Sequence, residues 1–344
     1  MEKIKSKALL IYLLLLLLVL LAIPLAAGFG AVQITFPEIQ SALFKGLTAN
    51  KDLSLHEGIF LQIRLPRVLL CLFVGASLAV SGALLQALFR NPIIEPGLIG
   101  TSSGAALGAS VYFVLGASLP FHLGEWTLPV LAFAGGVFAT LVVMLFAQSE
   151  NRSKNQVLLL LLIGISINAL CISMMGFLSY IARDLQARSI TFWSLGTFSG
   201  ANWKAVLIVG FSTLASVFMS LFYAKKLNTL ILGDEEAMYL GVSIKRLKII
   251  VLGINVLMVA TATAFVGVIS FVGLIVPHVL RLLHNSENTY LIIAGAMAGG
   301  LLVLMADFVA RNLFAPAELP IGIVCSFIGA PLFIYLLKSS NKFL

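Results

Sequence analysis

The side chains able to do chemistry in this chain are few and widely spaced. Arg64 and Arg67 stand three residues apart, and Arg311 follows Asp307 by four; a planar guanidinium suits paired contact with a carboxylate. Asp307 and Arg311 at that spacing also suit an ion pair along one helix face. Gly233-Asp234-Glu235-Glu236-Ala237 and Leu240-Gly241 form an acidic segment framed by glycines, the pattern of a short amphipathic helix. Asn91-Pro92 and Asn155-Gln156 are amide-bearing breaks between apolar runs. Proline ends a helix and frees carbonyl groups, which at membrane depth must face water or protein. His278 and Arg281 lie one helical turn apart, and ionisable groups within apolar spans are functional candidates by default. No HExxH occurs in the apolar runs, and no phosphate loop GxxxxGK[ST] occurs at all. No catalytic residue and no metal site is therefore assigned.

The elements that position these groups are membrane spans. Of 344 residues 60% are hydrophobic and 10% charged, with a mean hydropathy of +1.07, which leaves too little polar surface for a water-soluble globule. A bilayer core about 30 Å thick takes ~20 helical residues to cross. Runs of that length are expected near 8–28, 66–87, 97–116, 127–147, 156–180, 204–223, 247–268, 269–284, 290–310 and 319–337. The fold class predicted is an all-α polytopic membrane protein of about ten transmembrane helices. Between the seventh and eighth runs, Gly267 to Gly273 is unbroken apolar sequence, so the chain must turn there without a polar loop; broken or re-entrant helices fit this point equally well.

Ten crossings put both termini on one side. Of the 22 Lys and Arg residues, fourteen fall on the side of the termini and eight on the other, so both termini are expected to be cytoplasmic. The run from Ala8 to Ala27 is longer than a signal-peptide core and is read as the first span. The net charge of +8 is spread over loops with no single basic patch, which argues against nucleic acid as a partner. Cys71, Cys171 and Cys325 lack the paired spacing of metal or disulfide frameworks and read as core residues. Gly104/Gly108 and Gly295/Gly299 place small residues four apart, which favours close helix contact within the subunit. Met174, Met175 and Tyr180 on the fifth span are candidates to line a cavity, although such side chains more often pack. Residues 1–344 are read as one transmembrane domain with a polar loop at 224–248.

Several longer motifs occur in a recognisable order. They are Arg64-Leu-Pro-Arg67 leading into Gly75 to Gly82, Gln86 through Asn91-Pro92 to Gly100, Leu232 to Gly241, Phe271 through Pro277-His278 to Arg281, Asp307 to Arg311, and Glu318-Leu-Pro320-Ile-Gly322. Together they cover nearly the whole chain, which resembles the FecCD-type permease subunits of ABC importers for iron chelates, heme and cobalamin. The resemblance implies a permease working with a second copy or a paralogue, in the cytoplasmic (inner) membrane of a bacterium. It would sit on two ATP-binding subunits that hold the ATP and Mg, with no cofactor on this chain, and take cargo from an extracytoplasmic binding protein. By the same resemblance Gly233, Asp234, Glu235, Glu236, Ala237, Leu240 and Gly241 couple to the ATPase. Arg64, Arg67 and Arg311 dock the binding protein, Asn91, Pro92, Asn155 and Gln156 form a cytoplasmic gate, and Pro277-His278 is structural. Among cargoes, Thr191 to Gly200 and Gly97 to Ala105 look most like heme permeases, with ferric siderophore next and cobalamin third. An ion-driven carrier or an intramembrane enzyme is the rival of another class. The first needs acidic residues at mid-membrane, for which Asp307 is the main candidate; the second needs a nucleophile or metal ligands.

Overall fold

The computed structural model describes residues 2–30, 32–48, 53–118, 123–148, 156–315 and 317–340. Among them every regular element is a helix. The chain begins with α1 (Glu2–Gly28), then the small hairpin α2 (Phe36–Leu47) and α3 (Leu55–Ile59), which passes through one π-helical turn, Phe60–Arg64, into α4 (Leu65–Leu88). A 3-10 turn, Pro96–Ile99, precedes α5 (Thr101–Leu115), followed by α6 (Thr127–Gln148), α7 (Gln156–Ile181) and α8 (Asp184–Ser194). The remaining helices are α9 (Trp203–Thr229), α10 (Asp234–Tyr239), α11 (Ile244–Val266), α12 (Val272–Leu283), α13 (Asn288–Asn312) and α14 (Ile321–Ser340).

Seven of these elements are long and apolar enough to cross a bilayer, while α5, α12 and α14 are shorter apolar helices. Each expected span falls on one of the ten. Apolar residues cover the periphery: Leu10 and Leu14 of α1, Phe138 and Leu145 of α6, Phe177 of α7 and Phe211 of α9 all face outward. Such a surface suits hydrocarbon.

The centre belongs to α4, whose residues are almost all buried and which packs against α9, α11, α12 and α13. Contact with α13 is backbone to backbone. A β-carbon on Gly75 would stand 2.2 Å from the Gly299 carbonyl oxygen, and one on Gly299 would stand 2.3 Å from that of Gly75. Only hydrogen fits at either place. The α5–α6 seam repeats the device at Gly104 and Gly135. Of the small residues expected to pack from the sequence, Gly104, Gly108 and Gly299 thus make close backbone contacts inside one subunit, while Gly295 makes none.

Contacts also define the two ends of the bundle. Arg90, just after α4, pairs with Asp234 at the start of α10, and Asn228 near the end of α9 bonds Glu287 and Asn288 at the start of α13. At the other end, Arg64 reaches Ala27 of α1, and Lys204 of α9 pairs with Glu125 before α6.

Between the ends several helices stop inside the bundle. α11 ends at Val266 and α12 starts at Val272, so the apolar turn required at 267–273 is a real break. At ~1.5 Å per residue the twelve residues of α12 span about 18 Å, so a crossing here needs the non-helical 267–271 stretch as well as the helix. The C-terminus of α8 meets this break, with the Thr197 amide donating to Val266 O. The start of α14 meets α8, since the Ile321 and Gly322 amides donate to the carbonyls of Gly196 and Leu195. These cross-bonds satisfy backbone groups that hydrocarbon would leave unpaired.

Candidate functional site

Three places in the bundle hold the polar groups singled out above. The first is α10. Gly233, at φ +128°, turns the chain out of α9, and Gly241, at φ +81°, stops α10 after six residues. The Gly241 and Val242 amides close its C-terminus on the carbonyls of Met238 and Ala237. Ala237 is fully buried, whereas Tyr239 is 90% exposed, with Met238 and Leu240 also exposed. Asp234, Glu235 and Glu236 occupy the first turn, where the helix dipole favours acids. The glycine-framed amphipathic helix read from the sequence is present, and it offers an apolar edge to solvent.

The second place is the loop after α4, which holds Asn91-Pro92 of the expected gate. Asn91 Oδ1 accepts the Ile93 amide at 2.9 Å, and the Asn91 amide donates to Gln86 O, so Asn91-Pro92 closes α4. Arg90 holds a left-handed backbone at φ +51° and ion-pairs with Asp234 at 2.8 Å, tying this loop to α10. Gln86, buried in α4, donates to the carbonyls of Gly273 and Ile94 and accepts from Arg281 Nη1 at 2.5 Å. Arg281 thus serves the loop, and its neighbour His278 lies half-buried nearby. Glu95 reaches across to the break before α12, where its Oε1 accepts the amide of Phe271 at 2.6 Å. Phe271 carries a left-handed backbone, φ +69°, which a bulky residue keeps only where its surroundings enforce it. Glu95 and Arg90 were not assigned roles from sequence, because their partners lie 176 and 144 positions away.

Beyond Glu95 a cavity of about 340 Å³ opens among the 3-10 turn, α5, α7, the end of α8 and the 268–273 break. Asn168 of α7 spans its wall, donating to Gly97 O at 3.1 Å and accepting from the Ser103 hydroxyl. Met175 lines the cavity, but Met174 and Tyr180 lie on the exposed face of α7. Of the other proposed gate, Asn155 lies outside the described residues, and Gln156 opens α7.

The third place is the far end. Arg67 is buried and makes three bonds to Asp307, at 2.9, 3.1 and 3.2 Å, and two to Glu318, both 2.9 Å. Arg311 pairs with the same Asp307 at 3.0 Å and donates to Ala26 O. Arg64 is buried with its guanidinium on the carbonyls of Ala27 and Val32. Folding turns all three arginines inward, because the carboxylates of Asp307 and Glu318 and the carbonyls of Ala26, Ala27 and Val32 converge on them. The Asp307–Arg311 pair expected from the spacing of four is present. Cys71, Cys171 and Cys325 are free thiols and buried. Among the described residues no three His, Cys, Asp or Glu groups come close enough to hold a metal.

A bundle with short broken helices around a cavity carrying a few polar groups, and a small exposed helix at one end, is the build of a membrane transport subunit. Residues 14–339 match the FecCD transport family, and the chain belongs to it. It is 40% identical over 317 residues, 92% of each chain, to the hemin transport system permease protein HmuU of Yersinia pestis. It is also 40% identical over 277 residues, 80% of each chain, to the vitamin B12 import system permease protein BtuC of Yersinia pseudotuberculosis. Among solved structures, an inward-facing metal-chelate type ABC transporter superposes with a TM-score of 0.84 at 32% identity, covering 96% of this chain and 99% of that one. PsaBC from Streptococcus pneumoniae shares the fold at a TM-score of 0.58 and 15% identity.

Proposed function

We propose that this chain is the permease subunit of an ABC importer that carries a bulky iron-bearing chelate, heme foremost, inward across the cytoplasmic membrane of a bacterium. The likeness to a hemin permease over 92% of the chain supports heme, with a ferric siderophore as the second cargo and cobalamin as the third. The ten apolar helices are read as ten spans with both termini cytoplasmic, so that α10 and the Arg90 loop face the cytoplasm. Two copies, or this chain and a paralogue, enclose the path. ATP and Mg act in two separate ATP-binding subunits.

The observation that carries this reading is the tie between α10 and the cavity. α10 offers Met238, Tyr239 and Leu240 to a partner's groove, and Asp234 at its start holds Arg90, five residues before Glu95. A push on α10 therefore reaches the loop under the cavity through one ion pair and one short turn. Asn91 and Pro92, and Asn155 and Gln156 at the start of the fifth span, are proposed to narrow the path at this end.

At the opposite end the binding protein is proposed to dock over Arg64, Arg67 and Arg311. Docking by charge requires these groups to exchange internal partners for carboxylates of the binding protein. The exchange is easiest for Arg64, whose bonds go only to backbone carbonyls. Arg67, gripped by two carboxylates, is better suited to brace the rim.

The test is coupling in the complete transporter reconstituted in liposomes. Arg90→Ala and Glu236→Ala are expected to leave assembly intact and to lower cargo uptake per ATP hydrolysed several-fold. Wild-type coupling in both variants would refute the role of α10.

A further inference from the structure

Several polar groups in the cavity wall are left wholly or partly without partners among the described residues, and Glu95 at the break before α12 and Ser194 at the end of α8 are the most deeply placed of them. Glu95 gives Oε1 to the Phe271 amide, but among the described residues nothing donates to Oε2, and no Lys, Arg or His pairs with it. Ser194 Oγ, at the end of α8, is buried without a hydrogen-bond partner. Both belong to the wall of the same cavity. Of the other polar wall groups, Ser103 and Asn168 bond each other and Asn168 also bonds Gly97, while the hydroxyls of Ser102 and Ser270 make no hydrogen bond among the described residues. A carboxylate away from bulk water is normally paired or bonded on both oxygens, and an ionisable group within a membrane bundle has a use by default. The rest of the wall is apolar, including Leu98, Ile172, Met175 and Val268. It is also where helices α8, α11 and α12 break, which membrane proteins tolerate around a watered path.

We propose that this cavity is a binding station on the cargo's path, which holds an apolar group bearing a cation or an N–H or O–H donor and turns away carboxylates, with Glu95 as the residue that sets this preference. The inference rests on the transport reading above and deepens it. Glu95 Oε2 and Ser194 Oγ are the groups the cargo would use, and the aliphatic wall covers its hydrocarbon. A second carboxylate brought beside Glu95 would meet like charge without a compensating base. A heme would then pass with its propionates turned away from Glu95, whereas a chelate carrying an ammonium arm would be held directly. The groups found in the wall are too few to ligate iron, so the preference acts on the organic shell of the cargo.

Two measurements test this, one of them independent of transport. Ser102 lines the cavity, and Ser102→Cys is labelled in the purified full-length chain in lipid nanodiscs. The reagents are a trimethylammonium and a sulfonate methanethiosulfonate of similar size; the parent chain with its three buried cysteines supplies the blank. The cationic reagent should react faster, and adding Glu95→Gln should lower the ratio of cationic to anionic rates by about tenfold, the effect of one charge several ångströms away in a partly wet cavity. The Gln side chain still accepts the Phe271 amide, so the loop is kept. An unchanged ratio, or no reaction with either reagent while an exposed Glu125→Cys control reacts, overturns the proposal.

The second measurement is uptake by the complete transporter of two ferric trihydroxamates that differ only in a free ammonium or its succinylated, anionic form. Wild type should favour the ammonium chelate, and Glu95→Gln should level the two. Transport of both without preference, or an equal loss of both in Glu95→Gln, overturns the filter. Uptake of neither by wild type, with the labelling ratio behaving as stated, would count against the transport reading and support the cavity on its own.

Discussion

Replacing Asp307 by Asn tests the inward-facing arginines. Asp307 is buried, its side chain 2% exposed, and its carboxylate neutralises both Arg67 and Arg311. Asparagine has nearly the same shape and keeps a carbonyl oxygen, so packing is preserved while the charge is lost. Removing one partner of a buried ion pair costs about 3–5 kcal/mol, because the remaining charge stays desolvated. Here two guanidinium groups lose their counter-ion, which argues for the upper part of that range. Glu318 also takes two bonds from Arg67, yet its side chain is 41% exposed, and Glu318→Gln should cost about 1 kcal/mol or less. At roughly 2 °C per kcal/mol for a chain of this size, Asp307→Asn should lower the melting midpoint in mild detergent by about 6–10 °C, and Glu318→Gln by about 2 °C or less. The double variant Arg67→Met, Asp307→Asn should lose less than the sum of its single changes, since the stranded Arg67 charge is gone. Equal shifts for Asp307→Asn and Glu318→Gln, or strict additivity in the double variant, would refute the claim that burial decides the worth of this network.

Two other outcomes are expected. In the α2–α3 hairpin, hydrogen bonds from His56 first, then from the Thr35 amide and hydroxyl, hold the Glu38 carboxyl down at about 2. A lowered folded-state value stabilises above the unfolded value of 4.5 and is lost as pH falls toward 2, so the protection of α2 amides, measured as hydrogen exchange relative to the intrinsic rate at each pH, should fall between about pH 4.5 and 2, and Glu38→Gln should abolish that step. For the topology, a cysteine in place of exposed Glu125 should react with an impermeant thiol reagent added outside cells, and one in place of Ser243 should not; the reverse pattern would invert the assignment of the two faces.

Much of this architecture was legible in the residues themselves, where the physics is local. Hydropathy over ~20 residues is a property of the run alone, so each expected span coincides with an apolar helix. Glycines at 233 and 241 adopt backbone angles that few other residues tolerate, which is why α10 could be bounded from the sequence. The turn forced on Gly267 to Gly273 was visible for a similar reason, since unbroken apolar sequence that must reverse has few options in lipid. The spacing of four between Asp307 and Arg311 announced their pair.

What the sequence left open depends on groups brought together from far apart. In the sequence Arg67 is one of three arginines assigned to docking, and only the fold shows Asp307 and Glu318, 240 and 251 positions later, closing around it and burying it. Glu95 looks like an ordinary loop acid, and only the break before α12 shows that one of its oxygens caps Phe271 while the other is left to the cavity. Arg90 becomes a connector only because α10 folds back beside the end of α4. Hydropathy and backbone preference belong to single segments; the worth of a charge depends on its burial and its partner, and both of those are properties of the packed bundle.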